Sequence, residues 1–241
     1  MSCTKQDVYS LVINVMSYAV LITCEHAGNI VPEAYKLLFD QSEDVLHSHE
    51  GWDPGAWHVA QYLGSQLNVT PLGCHTTRLL IEANRSLHSN QLFSRYTSHL
   101  NDEEKKLLIK DIYNPYRQSV QHKIEEQQKP VLHLSIHSFT PVYQGKERKV
   151  DLGLLYDPER ASEHRFCRSL KHELACLAPG LAVLDNEPYL GIDDGFTSYL
   201  RSIYDDSQYL GIEIEISQKF VGDLGKVQQA LGQGIIKVLF P

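Results

Sequence analysis

Cysteine is scarce in this chain and has no pattern. Cys3, Cys24, Cys74, Cys167 and Cys176 are odd in number and none falls in a Cys-x-x-Cys spacing, which argues against a disulfide framework or a zinc ribbon and fits a reducing cytoplasm. Positive charge is also short, with 22 Lys and Arg against 30 Asp and Glu for a formal net charge of -8. That balance disfavours a nucleic-acid groove, although an acidic protein can still carry a local cationic pocket. Long apolar runs are missing too. The stretch from Leu11 to Thr23 is interrupted by Asn14, Ser17 and Tyr18, follows no strongly basic segment and is too short to span a bilayer, so it reads as one or two core strands rather than a leader or a membrane helix. No linker rich in Pro, Gly or Ser, no charge block, no internal repeat and no low-complexity tract divides the 241 residues. One domain over residues 1–241 is expected, and nothing in the chain specifies an oligomeric state.

Periodicity then alternates between strand and helix. Asp53-Pro54-Gly55-Ala56 opens a helical pattern through Leu67, with Asp53 as N-cap and Pro54 at the first helical position. Val69 to Cys74 and Arg78 to Ile81 look extended. A charged helix begins at Asp102, Pro115 breaks it, and a second runs to about Gln128. Strands follow over 130–139, 151–156, 181–184 and 209–218, with helices over 160–177, 195–204 and 223–239 between and after them. Such alternation implies a mixed, mostly parallel sheet covered on both faces.

The chemistry gathers at three strand ends and one short segment. Thr77 to Arg85 carries two guanidiniums and an amide, Arg78, Arg85 and Asn84. Arg matches a carboxylate with a planar fork, so this is a receptor for a small acid, unless both arginines pair with surface acids such as Glu82. The apolar run from Ala19 ends at Glu25-His26-Ala27-Gly28-Asn29. In 130–139, alternation puts Leu132, Leu134 and Ile136 on one face and His133, Ser135 and His137 on the other. Four residues of strand span roughly 13 Å, so His133 and His137 cannot share one metal. In 209–218, Glu213 and Glu215 project from one face, where a carboxylate is costly unless paired, hydrogen-bonded or metal-bound, or unless the strand is an edge with one wet face.

His26, His137 and a carboxylate make a three-ligand zinc site with one position open for water, as amide or ester hydrolysis needs. The third ligand stays open. Glu25 neighbours His26 but points the opposite way on an extended segment; Asn29 has the reach but is a poor zinc ligand; Asp53 remains, with the competing role of a helix cap. Glu215 is the expected general base, with Glu213 as its orienting or structural partner. Ser138 and Cys24 lack a nucleophile elbow or an identified base, which disfavours covalent catalysis.

Six ordered segments carry a resemblance: Cys24-Glu25-His26-Ala27-Gly28-Asn29 with Val31-Pro32; Trp52-Asp53-Pro54-Gly55-Ala56; Arg78 to Arg85; His137-Ser138-Phe139-Thr140-Pro141; Asn186-Glu187-Pro188-Tyr189; and Glu213 to Gln218. Together they resemble the N-formylglutamate amidohydrolase family over about residues 20–221, and through it the zinc carboxypeptidases and aspartoacylase. The resemblance implies a three-layer α/β/α sandwich of the phosphorylase/hydrolase-like type and one zinc ion on His26 and His137. It also implies a carboxylate clamp of Arg78, Asn84 and Arg85, and Glu215 for water activation. Asn29 stands where the carboxypeptidases have a glutamate ligand, which directs attention to Asp53. Tyr189 is a further candidate, closing over the substrate or hydrogen-bonding the tetrahedral intermediate. The implied substrate is a small N-acyl amino acid, N-formylglutamate above all. The alternatives are a carboxylate-binding protein without catalysis and a carboxypeptidase-like peptidase.

Overall fold

The computed structural model describes residues 18–240; positions 11–17 of the expected first strand, and Cys3, lie outside them. The chain runs β1 (Ala19–Cys24), a 3-10 segment (Glu33–Phe39), α1 (Glu43–Leu46), α2 (Ala56–Leu67) and β2 (Leu72–Gly73). It continues through α3 (Asp102–Leu108), a π-helical turn (Ile109–Tyr113), α4 (Asn114–Glu125), β3 (Val131–Phe139), the hairpin β4 (Val142–Tyr143) and β5 (Lys146–Glu147), and β6 (Leu152–Leu155). Then come α5 (Ala161–Leu177), β7 (Val183–Asp185), α6 (Phe196–Ile203), β8 (Tyr209–Ser217) and α7 (Gly225–Leu239).

Six strands form one sheet in the order β2-β1-β3-β8-β6-β7. Every pairing is parallel except β6 with β8, so the sheet is mixed and mostly parallel. Alternation along the two longest strands decides which layer covers which face. Leu132, Leu134 and Ile136 of β3, with Leu210, Ile212, Ile214 and Ile216 of β8, pack against Ala56, Val59, Ala60 and Leu63 of α2, Phe166, Leu170 and Leu174 of α5, and Leu231 and Ile235 of α7. Burying each of these large aliphatics is worth ~1.5–3 kcal/mol, and this layer is the main core. On the opposite face Tyr116, Val120 and Ile124 of α4 meet Phe196 and Leu200 of α6 over Leu21, Val131 and Tyr209. The result is the three-layer sandwich. A smaller cluster of Phe39, Leu79, Leu80, Ile81, Leu92, Leu108 and Tyr113 lies beneath the loops that carry the Arg78–Arg85 segment.

Three local expectations are corrected. Residues 78–80 form a turn and Ile81 is irregular, not a strand, held by Leu80 N–H donating to Thr77 O at 3.1 Å, because the apolar side chains here feed the small cluster instead of a sheet. Of 69–74, only Leu72 and Gly73 pair as strand. Pro115 does not separate two helices: α3 passes through the π turn directly into α4, with Pro115 in its first turn. The wider turn just before the proline accommodates its missing N–H and its ring without ending the helical path. The start of α3 follows its chemistry, since Asn101 and Glu104 form a reciprocal capping box.

Among the described residues no helix is long and apolar enough to cross a membrane.

Candidate active site

Register places the polar residues. β3 and β8 run parallel with Ser135 opposite Glu213 and His137 opposite Glu215, and Thr23 of β1 lies opposite Ser135. With strands ~4.8 Å apart, side chains at one level of one face become neighbours. β8 lies between β3 and β6 and is buried along its whole length, so Glu213 and Glu215 are not the wet face of an edge strand. Glu213 is satisfied by the Thr197 hydroxyl at 2.5 Å. Glu215 Oε2 is buried and has no hydrogen-bond partner.

His26 follows β1 directly, and its carbonyl accepts the Asp53 backbone N–H at 3.1 Å. Asp53 does not cap α2 as expected. The helix starts after Gly55, whose φ of 85° turns the chain, a conformation glycine adopts without a side-chain clash. The Asp53 carboxylate instead enters the site, where Oδ2 lies 3.1 Å from His26 Nδ1 and 2.9 Å from His137 Nδ1. His26, Asp53 and His137 are all buried, with one ligand atom from each lying within 4.8 Å of the others. Asn29 is elsewhere: its amide donates to the Leu46 carbonyl at 2.9 Å and contacts His47. Glu25 lies on the far side of His137, 3.1 Å from Nε2, and accepts from Tyr116 at 2.7 Å and Ser135 at 2.5 Å.

The outer nitrogens explain how the rings are held. His26 Nε2 lies 2.5 Å from Glu82 Oε1, and His137 Nε2 lies 2.9 Å from the Ser135 hydroxyl, which donates to Glu25, and 3.1 Å from Glu25 itself, so each ring's outer nitrogen is held on the carboxylate side, for His137 partly through Ser135, and its Nδ1 is turned inward. An imidazole that donates outward to a carboxylate while offering its other nitrogen is the usual arrangement of a metal-ligating histidine. Without a cation between them, Nδ1 of each ring can meet the same carboxylate oxygen only as imidazolium. Burial opposes that charge, yet Asp53 with Glu25 for His137, and Glu82 with Asp53 for His26, leave both rings more basic than free histidine. Burial likewise raises the pKa of Asp53, Glu82 and Glu25, but the histidines, with Arg78 beside Asp53 and Glu82, hold these carboxyls well below their ordinary range. The buried acids Glu25, Asp53, Glu82, Glu213 and Glu215 thus surround a point where two nitrogens and one oxygen converge. Two imidazoles and a carboxylate are a zinc donor set.

Glu82 is the residue sequence reasoning misjudged. It is buried, not a surface partner, and besides His26 it receives Arg78 through Nε and Nη2, both at 2.6 Å, and the Asn84 backbone N–H at 3.0 Å. Its position four residues after Arg78 was the available signal; its contact with a histidine 56 positions earlier was not. Replacing Glu82 by Gln weakens the hydrogen-bonded support of His26, and metal affinity is expected to fall by roughly 10- to 100-fold with the fold retained, measured by competition against a chelating dye.

These residues line a cavity of about 160 Å³ with Arg78, Asn84, Arg85, Ser138, Tyr189, Asp193, Asp194, Glu213 and Glu215 around His26, Asp53 and His137. Arg78 spends its fork on Glu82 and on Asp53 Oδ1, at 3.2 Å. Arg85 donates to the carbonyls of Asn84 and Asp194 and to Gln91. Asn84 Oδ1 accepts the Phe196 N–H at 2.7 Å, leaving its NH2 group as donor. The segment is braced from behind by buried Arg117, which donates to the Ala83 carbonyl at 3.1 Å, and by Tyr113, which donates to the Arg85 carbonyl at 2.8 Å. Tyr189 is 43% exposed at the cavity mouth. Its loop crosses β6 so closely that a Cβ at Gly153 would overlap the Glu187 carbonyl, and Asn186 pins it by accepting from Tyr156 N and Gly191 N, each at 3.0 Å. His133 is apart from all this, between Thr23 and Tyr209, and burial pushes its pKa down to about 4.

A sequence model of the N-formylglutamate amidohydrolase family matches residues 18–221. Among solved structures, a gene product of Agrobacterium tumefaciens is similar with a TM-score of 0.77 at 30% identity, over 94% of this chain and 92% of that one. The N-formylglutamate amidohydrolase of Ralstonia eutropha is similar with a TM-score of 0.62 at 17% identity, over 92% of this chain and 94% of that one; at that identity the likeness shows the fold alone. No curated protein matches.

Proposed function

The chain belongs to the N-formylglutamate amidohydrolase family, and from that premise we propose that it hydrolyses the amide bond of a small N-acyl amino acid, using one zinc ion held by His26, Asp53 and His137. The observation that carries this reading is Glu215. A buried carboxyl with an unpartnered oxygen stands in the same cavity as a convergent two-histidine, one-carboxylate cluster. A divalent ion bound there would supply Lewis acidity to the acyl carbonyl and make water a better nucleophile.

The protein's own groups do the rest. Glu215 takes the proton from the attacking water and returns it to the leaving amine. Burial first, with Asp53 and Glu213 adding to it against His137 and His26, raises its pKa to about 7, a value suited to both halves of that transfer near neutral pH. Arg85 and the Asn84 amide hold the amino acid's carboxylate, so that binding energy becomes orientation of the scissile bond. Arg78, tied to Asp53 and Glu82, keeps those two acids in place and adds positive charge at the cavity wall. Tyr189 covers the substrate from the mouth. The small cavity suits an acyl amino acid better than a peptide.

The test is hydrolysis of N-formyl and N-acetyl amino acids by the chain stripped of metal and then restored with zinc. Release of the free amino acid only after restoration is expected. Stoichiometric zinc binding with no hydrolysis of any such amide would instead favour an acid-binding protein without catalysis.

A further inference from the structure

Arg148 is a guanidinium whose charge has no acid partner among the described residues. It forms no ion pair among the described residues, and its hydrogen bonds go to two neutral oxygens, the Thr140 carbonyl and the Tyr189 hydroxyl, each at 3.2 Å. Of its five N–H donors these use two. Three rings surround it, with centroids of Phe139 at 5.5 Å, Tyr143 at 4.8 Å and Tyr189 at 5.1 Å. Cation–π contact of this kind fixes a guanidinium without neutralising it. Its backbone is placed by local pairing: Arg148 closes a hairpin that leaves the end of β3, its N–H donating to Pro141 O at 2.8 Å, and the hairpin turns at Gln144 and Gly145, both with positive φ, as in the favoured two-residue hairpin turns. That hairpin starts just past Phe139, two residues beyond His137.

The contrast with Arg117 and Arg78 is informative. Arg117 is also caged by aromatic rings, but it is buried and donates to backbone carbonyls beneath the clamp. Arg78 is committed to Asp53 and Glu82. Arg148, part-buried like Arg78, differs from it in having no acid beside it among the described residues, and it stands one hydrogen bond from a side chain that lines the cavity. The clamp at Asn84 and Arg85 offers one charged fork, which suits one carboxylate.

Resting on the hydrolase reading above, we propose that Arg148, presented by Tyr189, is the specificity-determining residue that receives the substrate's side-chain carboxylate.

The experiment compares kcat/KM for N-formylglutamate and its uncharged isostere N-formylglutamine in the zinc-loaded full chain. Wild type favours the acid. In Arg148→Met that preference falls by roughly 10- to 100-fold, through KM more than kcat, and Arg148→Lys, which keeps the charge without the fork, lies between. A wild type indifferent to the two substrates, or an Arg148→Met variant that weakens both equally, overturns the proposal and leaves Arg148 a brace for the hairpin. If neither compound is hydrolysed, the hydrolase reading fails separately. Titration of both into zinc-loaded Glu215→Gln, with and without Arg148→Met, then decides: tighter binding of the acid that depends on Arg148 supports the receptor, and equal binding overturns it.

Discussion

Glu215→Gln is expected to lose roughly 10²- to 10⁴-fold in kcat while keeping metal and substrate binding. The amide has nearly the carboxyl's shape but cannot accept the proton, and the buried Oε2 has no hydrogen bond for the substitution to break. The same variant carries a stability signature. Glu215 is shifted from an ordinary 4.5 up to about 7, burial being the largest cause, so the folded state holds this proton more tightly than the unfolded chain. Its contribution to stability is therefore complete below about pH 4.5 and is lost as pH rises through about 7. Metal-free Glu215→Gln, which has no charge to bury, is expected to be more stable than metal-free wild type above pH 7, by of order 1–3 kcal/mol, with no such gain at pH 4. Calorimetric melts at the two pH values check this. In wild type the acid limb of kcat/KM should fall as pH drops through the pKa of this group, at or below about 7, since a bound cation favours the ionised form. Full activity of Glu215→Gln would remove it from the mechanism.

His137→Ala is expected to abolish stoichiometric metal binding, weakening affinity by at least about 10²-fold, and to abolish hydrolysis with it. It should also cost the metal-free protein more stability than a cavity of that size explains, because the ring sits between Asp53 and Glu25. Both acids would stay buried with one of the groups that hold their carboxyls ionised removed, a loss of up to roughly 3–5 kcal/mol for a broken buried pair. Metal analysis and denaturant melts separate the two effects. A variant that retains a full equivalent of zinc would show that His137 is structural. Asn29→Ala is the natural control, since that side chain bonds the Leu46 carbonyl and His47 away from the cluster.

Much of this was legible in the residues. The strand at 131–139 and its alternation, the helices at 56–67, 161–177, 196–203 and 225–239, and the mixed sheet follow from periodicity that local sequence carries. The two histidines, the clamp segment and Glu215 stood out because charged and titratable groups at the ends of apolar strands need a reason. Asp53 shows where such reading stops. As a capping-type residue before Pro54 and a helical pattern it fits a local rule, and only the approach of β1 and β3 turns it into a shared partner of two histidines.

Glu82 and Arg148 make the same point from opposite directions. A local i to i+4 spacing made Glu82 look like a surface partner for Arg78, and burial against His26 gave it a second task. Nothing near Arg148 in sequence marks it, because its surroundings come from the end of β3, from its own hairpin and from a loop forty residues on. The chain alone determined the order of elements and the kinds of group available, since those depend on propensity and pattern within a few residues. Which groups meet was decided by the parallel register of β1, β3 and β8 and the loops that cross above them, because side chains distant in sequence become chemically coupled only when strand pairing brings them to one level of one face.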